Sequence, residues 1–94
     1  MGTSEARQSV TIVNQRGLHA RASAKFVAAV AALTSDVEVR VAKDANSAAG
    51  GSILGLMMLG AAKGDTIEII VTGEDAQAVL AGLVALVEDG FGEN

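Results

Sequence analysis

In 36-DVEVRVAK-43 a valine stands at every second position, Val37, Val39 and Val41, with Glu38 and Arg40 between them, and 66-TIEIIVT-72 repeats the pattern with Ile67, Ile69 and Val71. A period of two sends alternate side chains to opposite faces of a strand, so each segment has one apolar face that another layer must cover. The remaining segments supply that layer. From Ala20 the run ARASAKFVAAVAAL has high helix propensity, and Ala22, Phe26, Val30 and Leu33 recur along one stripe. Near the end, Ala76, Val79, Leu80, Leu83 and Val87 form a second stripe, with Asp75 offered as its cap and Gly90 as its stop.

The other elements are shorter. The β-branched 9-SVTIVN-14 reads as a strand closed by the turn-forming 14-NQRG-17, and residues 1-8 as a flexible polar leader. A hairpin through 43-KDAN-46 leads to a weak edge strand near 47–49, after which Ser52 caps and Gly60 ends a helix over 52-SILGLMML-59. The order is β-α-β-β-α-β-α. Strands and helices that are each apolar on one side bury that side most simply as an α+β open-faced sandwich. A four-stranded, mostly antiparallel sheet is then covered on one face by three helices. At 94 residues the chain has room for one core, so residues 9–94 are expected to form a single domain.

Composition narrows the function. Only Phe26 and Phe91 are aromatic and there is no cysteine, so the core is aliphatic and neither a disulfide nor a thiolate metal site can form. A net charge of −4 with scattered basic residues argues against nucleic acid as the main partner. MGTSEARQ has no apolar signal region, and no apolar run reaches the roughly 18 residues of a membrane span. A soluble, cytoplasmic domain is expected, without membrane insertion and without a metal or cofactor.

His19, the sole histidine, stands just before the first long helix in 17-GLHARASAKF-26. Helix N-termini expose unpaired N–H groups and favour anions. A neutral imidazole there can take a phosphoryl group on a ring nitrogen, and Arg21 two positions on can meet the phosphate oxygens with its planar fork. Gly17 allows a close backbone approach and leaves the ring uncovered. A lone turn histidine is ordinarily just a plain solvated residue, and His-x-Arg is too short to decide. No triad partners accompany it, and only carboxylates could join it on a metal. Gly50-Gly51 lacks the pattern of a phosphate loop and reads as backbone relief before Ser52.

Three longer stretches carry a resemblance. The segment 16-RGLHARASAKFV-27 resembles the active-site region of the histidine-containing phosphocarrier family, HPr and NPr, of the bacterial phosphoenolpyruvate-dependent phosphotransferase system. The segments 52-SILGLMMLGAAKGDTIEI-69 and 73-GEDAQAVLAGLVALVEDGF-91 are similar to that family's second helix with its following strand and to its last helix. LMMLGAAKG and the GFGEN ending are similar to the nitrogen-related NPr branch, and the HPr branch implies sugar transport. The resemblance implies that His19 accepts phosphate at Nδ1 from phosphorylated enzyme I and passes it to EIIA-type proteins, that Arg21 steadies it, and that the chain is a monomeric carrier and not a stand-alone enzyme. It departs from the family at Ala22, where proline is usual, and in 43-KDANSAAGG-51, which is longer and richer in glycine and puts the edge strand in question.

Ser52 is first a helix cap, and the resemblance also implies a regulatory phosphorylation site in lineages with a serine kinase/phosphorylase. In the apolar helix that follows, Leu56 and Leu59 are the core candidates, while Ile53, Leu54 and Met57 either join the core or project beside His19 as a partner surface. Lys25 and Lys63 are rim charges or solvated bystanders. Two other functions stay open. One is a non-catalytic regulatory module that binds partners through helix 53–59. The other is a small-molecule-binding sandwich, for which no pocket motif speaks.

Overall fold

The structure is a computed structural model and describes residues 4–93. Its elements run in the expected order: β1 (Glu5–Thr11), α1 (Ala20–Ala31), β2 (Val37–Lys43), β3 (Asn46–Ala49), α2 (Ile53–Met58), β4 (Thr66–Gly73) and α3 (Ala76–Glu88), followed by a 3-10 turn at Gly90–Gly92. The sheet order is β1-β4-β2-β3, and every neighbouring pair is antiparallel. Register brings the alternating apolar positions into rows across the sheet. Ala6 pairs with Val71 and Val71 with Val39, while Ile69 pairs with Val41 and Val41 with Ala48. All six side chains are buried under the helices.

Helix α3 packs over β1 and β4, and α1 and α2 pack on each other, with α2 also against β3. The stripes point where their spacing implies: Ala22 and Phe26 of α1 are buried with Val30 and Leu33 beside them, and all five apolar stripe positions of α3 are buried. Burial of each large aliphatic side chain stabilises the fold by about 1.5–3 kcal/mol. Phe26 and Phe91, the two aromatics, both lie inside.

Boundaries differ from the sequence reading in three places. β1 starts at Glu5, so residues 5–8, assigned to the leader, are a strand paired with β4; residues 1–3 lie outside the described residues. β1 is an edge strand with one solvent face, which is why Glu5, Arg7 and Ser9 suit it and hide the buried Ala6. The strand also stops at Thr11, before the predicted 14, because the chain turns away where Asn14 O accepts from Gly17 N–H at 3.2 Å. Finally, Asp75 sits at the start of α3 but does not cap it. Its backbone is left-handed (φ 56°), and its carboxylate instead accepts from Ser35 Oγ at 3.1 Å.

The edge strand that the long 43–51 segment put in question does form. Asp44 takes φ 55° in a two-residue turn that pairs Lys43 with Asn46. Gly50 then passes so close to Val39 that a Cβ there would meet the valine side chain at 2.7 Å, and its N–H donates to Val39 O at 2.8 Å. One glycine of the pair is thus fixed by packing.

Candidate functional site

The site begins with a clamp between two loops. Gly17 has φ 61°, and an added Cβ would strike the carbonyl oxygen of Ala61 and lie 2.8 Å from Cα of Ala62. Next to it, Leu18 N–H donates to Ala61 O at 2.9 Å while the Leu18 side chain is buried. Loop 12–19 is therefore seated on the segment after α2. His19 follows directly, with extended backbone (φ −74°, ψ −179°), as the N-cap of α1.

Nδ1 of His19 accepts from the N–H of Arg21 at 3.3 Å, which turns that nitrogen toward the first-turn amides. The first amide to bond within the helix is that of Ser23, donating to His19 O at 2.9 Å. Amides of the turn before it lack intrahelical acceptors, which is the condition for holding an anion. Ala22, where the resemblance implied a proline, lies in this turn with its side chain fully buried.

The other ring nitrogen meets a residue from the far end of the chain. Nε2 lies 2.8 Å from Glu93 Oε2, and the ring retains 15% of its side-chain exposure. The expectation of an uncovered ring is thus corrected, since the C-terminal tail lies against its Nε2 side. Asn14, which is buried, donates from Nδ2 to Gly17 O at 2.8 Å and to Glu93 Oε1 at 3.2 Å. Lys25 Nζ donates to Phe91 O at 2.7 Å and so ties the tail to α1. Partial desolvation works to raise the Glu93 pKa. Hydrogen bonds from His19 and Asn14, with the charges of His19 and Lys25, outweigh it and hold the carboxyl below its ordinary value.

Charge is gathered here too. A cleft of about 590 Å³ is lined by Asn14, Arg16, Arg21, Lys25, Lys63 and Glu93, among others. It collects four of the seven basic residues of a chain whose net charge is −4. Arg21, exposed and two residues from the ring, is among them, and Lys25 and Lys63 stand on the same rim.

On α2, Ser52 is the N-cap, its Oγ accepting from Gly55 N–H at 2.9 Å. Leu56 and Leu59 are buried, as expected of core residues. Ile53, Leu54 and Met57 are exposed, and Met58, not singled out from the sequence, is more open still at 77%. Sequence reasoning also missed Asn14 and Glu93. Neither lies in the His-x-Arg segment, and the only available signal was the glycine-flanked GFGEN ending.

The structure thus defines a class of small one-sided α+β sandwiches that place a histidine at the N-cap of the first helix, with basic side chains lining the cleft next to it. The chain belongs to the HPr family of the phosphotransferase system: the family model for the PTS HPr component phosphorylation site matches residues 6–89. It is similar to phosphocarrier protein HPr of Neisseria meningitidis, 45% identical over 87 residues that make up 93% of this chain and 96% of that protein. It is also similar to phosphocarrier protein NPr of Shewanella violacea, at 41% identity over 92% of both chains. The solved HPr of Thermoanaerobacter tengcongensis superimposes with a TM-score of 0.85 at 34% identity, covering 95% of this chain and 98% of that one.

Proposed function

We propose that the protein is a phosphoryl carrier in which Nδ1 of His19 takes phosphate from phosphorylated enzyme I, charged by phosphoenolpyruvate, and gives it to EIIA-type proteins. The observation that carries this reading is the orientation of Nδ1 toward the Arg21 amide at the N-cap of α1. In each transfer one histidine N–P bond forms as another breaks, roughly in line, so the carrier contributes alignment and charge compensation. Amides of the first turn and the Arg21 guanidinium would share the dianion. The exposed side chains of Ile53, Leu54, Met57 and Met58 would form the apolar part of the docking surface, with the basic rim steering acidic partners.

Ser52 is proposed as a regulatory site where a serine kinase/phosphorylase is present. Its phosphate would add close to two negative charges at the start of α2, beside the docking surface, and weaken docking of an acidic partner. The carrier would act as a cytoplasmic monomer of one domain. The experiment is incubation with enzyme I and radiolabelled phosphoenolpyruvate. One acid-labile phosphate per chain, absent in His19→Ala, is the expected result. No label, when a known carrier is labelled alongside, refutes the proposal. The exposed face of α2 favours one second reading, a regulatory module that binds partners without phosphate chemistry. That reading requires partner binding unaffected by phosphoenolpyruvate and by His19→Gln.

A further inference from the structure

We propose that Glu93 is a positioning residue for the transfer: its carboxylate takes the Nε2–H of His19 and so leaves the lone pair on Nδ1. The inference rests on the reading of His19 as the phosphoryl acceptor. Two neighbours with fixed roles determine the tautomer. The Arg21 amide can only donate, so Nδ1, 3.3 Å away, must accept. An ionised carboxylate can only accept, so Nε2, 2.8 Å from Glu93 Oε2, must carry the proton. Both contacts select the same form of the ring.

The carboxylate is itself held at both oxygens, Oε2 by the ring and Oε1 by Asn14 Nδ2 at 3.2 Å. Asn14 is buried and fastened to Gly17 O at 2.8 Å, so the loop that presents His19 also aims Glu93. The tail reaches this place through three consecutive left-handed residues, Gly90 (φ 63°), Phe91 (φ 58°) and Gly92 (φ 74°). It is anchored by the buried Phe91 ring and by Lys25 on the Phe91 carbonyl. A non-glycine residue in that conformation costs about 1–2 kcal/mol, which the burial of a phenyl ring can offset.

The chemistry gives the contact its purpose. When the Nδ1 lone pair forms its bond to phosphorus, the donor's N–P bond breaks and the donor ring keeps that electron pair. His19 retains the Nε2 proton, so its ring becomes an imidazolium with positive charge against Glu93. No proton has to leave. A carboxylate placed where charge develops stabilises the transfer in both directions, and it orients the ring beforehand.

The test uses the full-length chain with 15N-labelled histidine, Glu93→Ala and Glu93→Gln. With the ring neutral, the wild type should show the nitrogen shifts of a single Nε2–H tautomer. Glu93→Ala should show a mixture and accept phosphate from enzyme I about tenfold more slowly, the size of one lost charged hydrogen bond. Glu93→Gln, whose amide oxygen can still accept, should keep the tautomer and fall between the two in rate. Wild-type nitrogen shifts in a folded Glu93→Ala variant overturn the proposal, as does an unchanged acceptance rate. Failure of the wild type to accept phosphate at all would instead remove the relay reading, while the nitrogen shifts still decide what Glu93 does to the ring.

Discussion

Replacing Gly17 by alanine tests whether the clamp beneath His19 is as tight as the structure makes it. The left-handed backbone at φ 61° costs an L-residue about 1–2 kcal/mol. The new methyl would run into the backbone at Ala61 and Ala62, which has no flexible end to move aside. Overpacking of that kind adds about 1–3 kcal/mol. Loss of glycine's freedom in the unfolded chain returns about 0.4–1 kcal/mol. The net destabilisation is therefore about 1–4.5 kcal/mol, a large share of the roughly 5–15 kcal/mol that holds a domain together. At about 4–8 °C per kcal/mol, the melting temperature should fall by at least about 4 °C, and by more than about 10 °C at the middle of that range. Urea unfolding monitored by circular dichroism measures it. Gly51→Ala is the control, since nothing lies within 4 Å of a Cβ there, and it should stay within about 0.5 kcal/mol of wild type. If Gly17→Ala proves as mild as Gly51→Ala, the loop is not clamped and the argument for a pre-set His19 loses its base.

Two more predictions concern the other ends of the site. On α2, Leu56→Ala should cost about 2–5 kcal/mol in urea unfolding because the side chain is fully buried. Leu54→Ala, at a 67% exposed position on the same helix, should leave stability almost unchanged while slowing phosphoryl exchange with enzyme I. Glu93 has a lowered pKa when folded, so its contribution to stability is complete above the ordinary carboxylate value and is lost as pH falls through the lower folded value. Unfolding measured from pH 6 down to pH 3 should show the wild type's advantage over Glu93→Gln shrinking below about pH 4.3. An advantage constant across that range contradicts the contact.

Much of this molecule can be read before folding it, and what escapes has a common cause. The valine and isoleucine alternations of β2 and β4 are central strands with one face under helices, so their pattern states their role directly. His19 and Arg21 belong to one contiguous segment, and the N-cap geometry that joins them is local. Glu5–Gln8 were missed because an edge strand tolerates polar residues that read as a tail. Asp75 has the chemistry of a cap but not the backbone angles, which depend on the turn out of β4. Glu93 reaches the histidine from 74 residues away, and only the packing of Phe91 and the reach of Lys25 bring it there. Local signals were legible; contacts closed by the tertiary fold were not.

The most direct measurement is nitrogen NMR of the phosphorylated protein, which identifies the ring atom bonded to phosphorus and reports the first-turn amides together. Phosphate on Nδ1 of His19, with the amide signals of Arg21 and Ala22 displaced as they engage its oxygens, is the predicted outcome. Phosphate on Nε2, or on Nδ1 with those amides unmoved, would contradict the claim that the tip of α1 holds it.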